Sequence, residues 1–369
     1  MKSIFKSTWI RAVAVFLVIL SMGGCATMHT TAIKDEISEL GFSHDGKKIL
    51  FDRCREGDCR IQVYDLATGE LSAYQSPAHE RWTMAKCSYD GKKIVFAIIP
   101  IKGEYLELSD MQIAVMDPGG KNLKKITTGP GAKIYPVFSH SGTKVLYARA
   151  AYIRKRGATP AAQFDAWEAD ITTGKEKRLT YFKFFRMSNL TYFPDDKQFI
   201  CSASGPELFP GVREGDWKEI QKKQNEWAEE YKANTIFVFR EGQTTRDKPY
   251  VIVDEDYHSS SRSPLLSADG SRLLFGSRST YYLYSPDGDH RYVGGGGSVD
   301  SAAISPDGEL LGYISVNLTI DIHRVEDGSH QIELYLPRAV NIENWENSHK
   351  KTLYKNKMIS EQPSHIINR

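Results

Sequence analysis

Beyond its first two dozen residues the chain has no long hydrophobic run, and a bilayer-spanning helix needs about 20 predominantly apolar residues. No transmembrane helix is expected after the amino terminus. A surplus of one charge is missing too: 48 Lys and Arg stand against 46 Asp and Glu, a formal net charge of +2. Losing Lys2, Lys6 and Arg11 with a cleaved leader takes the 48 basic residues to 45, against 46 acidic ones. That balance gives no electrostatic footprint for nucleic acid and no polybasic membrane patch. Local signatures of catalysis are absent as well. There is no Gly-x-Ser-x-Gly elbow, no His-Glu-x-x-His, no calcium loop and no paired set of zinc cysteines. Gly294 to Gly297 lacks the strand, helix and Lys of a phosphate cradle. No catalytic residue, metal ligand or cofactor is assigned, although a site assembled from distant segments would leave no such trace.

What is present begins with the leader. Lys2, Lys6 and Arg11 precede the apolar run Ala12 to Leu20, then small residues and Cys25. This is the pattern of a secretory signal peptide, too short to span. Met22-Gly23-Gly24-Cys25 resembles the lipobox of bacterial lipoproteins, with Met22 where Leu is usual. The resemblance implies a signal over residues 1–24, a lipid on Cys25 and a linker over 25–37; the bland reading is an ordinary cleaved signal. Several acyl chains on one cysteine suffice for stable membrane attachment. Ala26 after the cysteine resembles outer-membrane sorting.

Four further cysteines remain among the five. Cys54 and Cys59 flank Arg55-Glu56-Gly57-Asp58 between two strand-like runs, and an oxidising periplasm favours a bridge across that hairpin, worth roughly 2 kcal/mol. Metal binding by this lone pair is the weaker reading. Cys87 and Cys201 fall at apolar strand positions, as core thiols do.

The dominant feature is a repeat of propeller-like period. Phe42-Ser43-His44-Asp45-Gly46-Lys47-Lys48-Ile49-Leu50-Phe51 recurs as Cys87 to Phe96 and as Phe138 to Tyr147. Weaker copies run from Phe193-Pro194-Asp195-Asp196, from Leu266-Ser267-Ala268-Asp269-Gly270 and from Ile304-Ser305-Pro306-Asp307-Gly308. A seventh, Trp345 to Tyr354, has lost Asp-Gly. Asp caps the turn's amides and Gly takes the positive φ. The apolar runs that follow do not alternate, so both faces of each sheet are expected to be covered. Outer hairpins fall between copies: Ile61 to Asp65 turning at Gly69, Ile113 to Asp117 at Gly120, Trp167 to Ile171 at Gly174, Ile236 to Phe239 at Gly242, Tyr282 to Tyr284 at Gly288, and Ile320 to Ile322 at Gly328.

Ser-Pro-Asp-Gly leading to a lysine-rich apolar strand, with an outer hairpin ending in Arg178-Leu179-Thr180, resembles the TolB-like propeller repeat over roughly residues 38 to 355. The resemblance implies an all-β propeller of four-stranded antiparallel blades over 38–369, expected to be a monomer. Seven copies favour seven blades, the last completed by strands near His365-Ile366-Ile367 and Ala32 to Ile37; the alternative is six blades with a C-terminal appendage over 340–369.

Extra residues mark customised places. Residues 206–234 in the fourth blade read as a helical insertion, capped by Asp216, with Trp217, Ile220, Gln224, Ala228 and Tyr231 on one face and Trp227 beside them. The bland reading is a lid packed on the propeller; the sharper one makes Trp217, Trp227 and Tyr231 a partner-binding surface. Arg154-Lys155-Arg156 reads as a solvated loop. Asp254, Asp256, His258 and Arg262 form a polar constellation before the fifth inner strand, a candidate funnel site whose bland reading is again a solvated loop. The expected function is a membrane-anchored, periplasm-facing scaffold, in the outer membrane, that engages an envelope protein or a peptidoglycan or other glycan. The alternative is a propeller-type enzyme, a polysaccharide lyase or peptidase-like protein, with its site in the central funnel.

Overall fold

The computed structural model describes residues 36–55, 58–103, 105–153, 161–184, 186–204, 235–242, 250–252, 261–277, 279–286, 289–295, 297–315 and 319–335. They form six antiparallel sheets, each made of consecutive strands. Blade 1 is β1 (Glu36–Phe42), β2 (Lys48–Arg55), β3 (Asp58–Asp65) and β4 (Leu71–Gln75). Blade 2 is β5 (Glu80–Cys87), β6 (Ile94–Lys102), β8 (Gln112–Met116) and β9 (Lys124–Lys125), with the short β7 (Tyr105–Leu106) paired to β6. Blade 3 is β10 (Lys133–Phe138), β11 (Lys144–Ile153), β12 (Ala161–Asp170) and β13 (Glu176–Arg178). Blade 4 is β14 (Arg186–Tyr192), β15 (Gln198–Ser204), β16 (Thr235–Arg240) and β17 (Tyr250–Ile252). Blade 5 is β18 (Ser261–Leu266), β19 (Leu273–Ser277), β20 (Thr280–Leu283) and β21 (Arg291–Gly295); blade 6 is β22 (Gly297–Ile304), β23 (Leu310–Ser315), β24 (Thr319–Arg324) and β25 (His330–Tyr335).

The repeated motif is the turn between the first and second strands of each blade. Ser43 Oγ donates to Asp45 Oδ1 at 2.6 Å and accepts from Lys48 N at 2.9 Å, while Lys47 N donates to Asp45. The same pattern recurs at Ser88 and Asp90, Ser267 and Asp269, and Ser305 and Asp307. Gly46 takes φ 69° there, which an L side chain resists. These bonds favour the ionised carboxylate: the Ser267 hydroxyl leads in drawing Asp269 down to about 2, and the Ser43 hydroxyl lowers Asp45 likewise.

The core lies between blades. Leu50 and Ile61 pack on Ile94, Phe96 and Ile98 of blade 2, while Ile49, Phe51 and Tyr64 on the other side of the same sheet pack toward blade 6. A second-strand run such as Ile49, Leu50, Phe51 is therefore fully buried on both faces, which is why it does not alternate. Further apolar clusters join blades 2, 3 and 4, blades 4 and 5, and blades 5 and 6. Blade 6 then packs directly on blade 1, where a Cβ on Gly312 would stand 2.7 Å from Leu40 Cδ2 and 3.4 Å from Phe42. All six junctions are filled.

Two expectations are corrected by this closure. The ring has six blades, not seven, because blade 1 begins at Glu36 with its own inner strand and seats against blade 6 with no space for another sheet. Ile37 pairs with Arg53 inside blade 1 and completes nothing else. The degenerate copy Trp345 to Tyr354, and His365 to Ile367, lie outside the described residues. No α-helix occurs among the described residues, only a 3-10 turn at Leu108–Asp110. The insertion expected to be helical, with Trp217, Trp227 and Tyr231, also lies outside them. What is described is its footing: β15 and β16 are paired up to Ala203 and Thr235, so the chain leaves and rejoins blade 4 at the hairpin end opposite the Asp-Gly turns.

Overfilling the closing seam tests the six-bladed ring directly. Gly312→Val is expected to destabilise the fold by about 1–3 kcal/mol in urea unfolding, since Leu40 is fully buried and has no room to retreat. An unchanged midpoint would show that blades 1 and 6 are not packed together.

Candidate functional site

The first strand of each blade is bulged at one repeated place. Glu39, Met84, Tyr135, Asn189 and Ser263 each lie four residues before the first residue of the Asp turn, and each holds a left-handed backbone, with φ between 51° and 61°. Register against the second strand slips at the same point in blades 1 to 5, and again between Gly297 and Ala302 in blade 6. None of the five is glycine, so each conformation costs about 1 kcal/mol or more. A bulge re-aims side chains out of the pleat. Here Glu39, Met84, Tyr135 and Asn189 all line a central cavity of ≈ 150 Å³.

The Asp turns form a collar at one end of that cavity, because the residue after each turn serine packs on the next blade's turn. His44 lies against Gly91, where a Cβ would meet its ring at 2.3 Å; here glycine is required by space as well as by φ. Tyr89 stacks on His140 with ring centroids 3.8 Å apart. In blade 4 Asp196 stands in the glycine slot at φ 54°, and its carboxylate accepts the amides of His140 at 2.6 Å and Ser141 at 2.9 Å. Pro194 packs on Gly270, Ala268 N donates to Pro306 O at 2.8 Å, and Pro306 approaches Gly46. His140 also reaches past blade 4: its Nε2 lies 2.8 Å from the Ala268 carbonyl oxygen and, facing a carbonyl, carries the proton.

Charge is concentrated on one wall. Lys86 lines the cavity and its Nζ donates to Leu40 O. Burial draws its ammonium below the ordinary lysine range, opposed by Glu39 and Asp52. Asp52 is fully buried in β2; its Oδ2 accepts the Thr83 hydroxyl and the amide of the bulged Met84, both at 2.6 Å. Burial pushes the Asp52 carboxyl up to about 6, with the Thr83 bond opposing. Asp52 therefore positions the blade 2 bulge. Cys87, also on the cavity wall, is pushed up to about 12 by burial and is a poor nucleophile at neutral pH. Cys201, fully buried, has its thiol raised by burial too.

Two other buried ions have structural work. Lys133 Nζ donates to the Met111 and Gly129 carbonyls at the junction of blades 2 and 3. Asp165 accepts Thr180 Oγ1 and Phe182 N, both at 2.8 Å, and ties β12 to the link leading into blade 4.

Cys54 and Cys59 are cross-strand partners in the β2–β3 hairpin and are joined Sγ to Sγ, at the ring face opposite the collar. Arg262, second in β18, pairs through its backbone with Gly276 at that same face. Asp254, Asp256 and His258 lie outside the described residues, as does Cys25. Among the described residues no three His, Cys, Asp or Glu side chains converge as a metal site, and no helix is long and apolar enough to cross a membrane. The bulge ring escaped the sequence reading because its members share no residue type; their constant spacing from the turn was the available sign. His44 and His140, each at the position after the turn serine or its equivalent, are collar residues.

No family model matches the sequence, and no curated protein matches it. The chain is similar in structure to TolB from Acinetobacter baumannii, at 16% identity and a TM-score of 0.56, over 91% of this chain and 72% of that one. It is also similar to an oligogalacturonate lyase in complex with manganese (13%, TM-score 0.51, 81% and 77% covered) and to a chain of a nidogen/laminin complex (9%, 0.52, 75% and 90%). Likeness at such identities is likeness of fold, and the shared fold is the β-propeller.

The raised Asp52 carboxyl gives a pH dependence of defined sign. Between about pH 4 and 6 the folded protein keeps a proton that the unfolded chain has lost, so this group's contribution to stability falls as pH rises through that window. The stability advantage of wild type over Asp52→Asn is expected to shrink by about 2 kcal/mol from pH 4 to pH 7. A difference that is flat with pH would contradict the assignment.

Proposed function

We propose that the protein is a lipid-anchored, periplasm-facing binding propeller that engages an envelope protein or a cell-wall component, and that it carries out no turnover. The observation that carries this reading is the ring of strained, non-glycine bulges, which aims four unlike side chains into one cavity. Strain held at equivalent positions of successive blades is expected where contacts to a ligand select it. The cavity wall offers a carboxylate, an ammonium, an amide and a phenol but no activated nucleophile. The leader, the Cys25 context and the Cys54–Cys59 bridge agree with an oxidising envelope compartment, and Cys25 supplies the outer-membrane anchor.

The likeness to the lyase favours a second reading, in which the same channel holds a polysaccharide lyase site.

In cells fed a labelled fatty acid, the wild type is expected to take up label and sediment with membranes, and Cys25→Ser to do neither; an unlabelled wild type would remove the anchor. Crosslinking in intact cells is expected to join the wild type to envelope proteins or cell-wall material. Steady cleavage of pectic or peptide substrates by the purified protein would instead support the enzyme.

A further inference from the structure

We propose that the central cavity is a saccharide site that takes one pyranose ring, with Asn189 as its polar anchor. This rests on the binding reading above and specifies its ligand. Asn189 is one of the strained bulge residues, and its Oδ1 is buried at the cavity with no hydrogen-bond partner among the described residues. A buried amide oxygen left unpaired is costly and calls for a donor. An amide offers an acceptor oxygen and a donor nitrogen side by side, so the group that satisfies both is one that donates and accepts, a hydroxyl.

The rest of the wall has the same double character. Glu39 and Lys86 stand on the blade 1 and blade 2 side, an acceptor and a donor close enough to interact. Tyr135 and Met84 present aromatic and thioether surface, and Leu190 and Leu265 add apolar wall. An amphipathic ring with hydroxyls at its edge and C–H bonds on its faces matches this arrangement. A fully apolar ligand leaves the Asn189 amide oxygen unmet, and a free anion meets Glu39. Size sets a limit: ≈ 150 Å³ is the scale of a cavity that accepts a benzene-sized ring, so no more than one sugar unit is seated. At the collar end the wall is tied across the ring, with His140 spanning to the Ala268 carbonyl and stacked on Tyr89.

The test uses the full chain in detergent with glucose, N-acetylglucosamine and galacturonate as probes, read by saturation-transfer NMR and calorimetry. At least one neutral pyranose is expected to bind with a dissociation constant on the order of 1 mM, as suits a single ring. Asn189→Gly removes the amide while suiting the left-handed backbone, so it is expected to keep or raise the thermal midpoint and to weaken sugar binding at least tenfold. Equal sugar binding by Asn189→Gly overturns the site. So does a lack of transfer from all three sugars; if crosslinking to envelope proteins persists, the scaffold reading stands without it. Sugar binding in a protein that captures no envelope protein supports the site and makes the partner a glycan.

Discussion

One hydrogen-bonded turn sets the geometry of this protein. A serine hydroxyl that donates to the aspartate two residues on and accepts the amide five residues on closes the hairpin between the two innermost strands. Fixing that turn fixes the register of the pair, and register decides which residues face each neighbouring blade. It also places the residue after the serine against the next turn, so that six local structures become one collar. Where the motif weakens, another group substitutes. Blade 3 pairs Ser139 with Ser141 at 3.0 Å, and blade 4 uses Asp195 to accept the Lys197 and Gln198 amides while Asp196 reaches back to blade 3.

The cavity wall is shaped by the interplay of that turn with the bulge four residues earlier. The turn holds the second strand in register, and the bulge then absorbs one residue in the first. Its side chain is free to face the channel while the flanking residues stay in the interblade core. This separates the two demands on the ring: second strands supply the apolar packing, and the bulges vary from Glu39 to Met84 to Tyr135 to Asn189 with little cost to it. Charge gathers at the junction of blades 1 and 2, where Asp52 holds the Met84 amide and Lys86 crosses to Leu40 O.

Much of the architecture was legible because it is written locally. Asp45-Gly46 and its copies announced the turns, and the unbroken run Ile49-Leu50-Phe51 announced a sheet covered on both faces. Blade number was not legible. The copy at Trp345 keeps an aromatic and paired lysines but lacks the Asp-Gly pair that makes the turn, and ring closure depends on the distant meeting of Gly312 with Leu40 and Phe42. The channel was hidden for a related reason. A bulge is a property of two strands in register, and no residue type at 39, 84, 135, 189 or 263 reveals it. The aromatic and acidic segments that stood out, around Trp217 and Asp256, lie outside the described residues and outside the repeat, which imposes no sequence on them.

The central claim is that six equivalent turns hold one closed, cooperative ring. Amide hydrogen exchange at Lys48, Lys93, Lys144, Arg272 and Leu310, each of whose amides donates to a turn serine hydroxyl, measures this directly. A closed ring predicts that all five exchange with the same free energy, that of global unfolding. Graded protection, with Lys48 and Leu310 exchanging well before Lys144, would mean that the ring opens between blades 1 and 6 and would contradict the account.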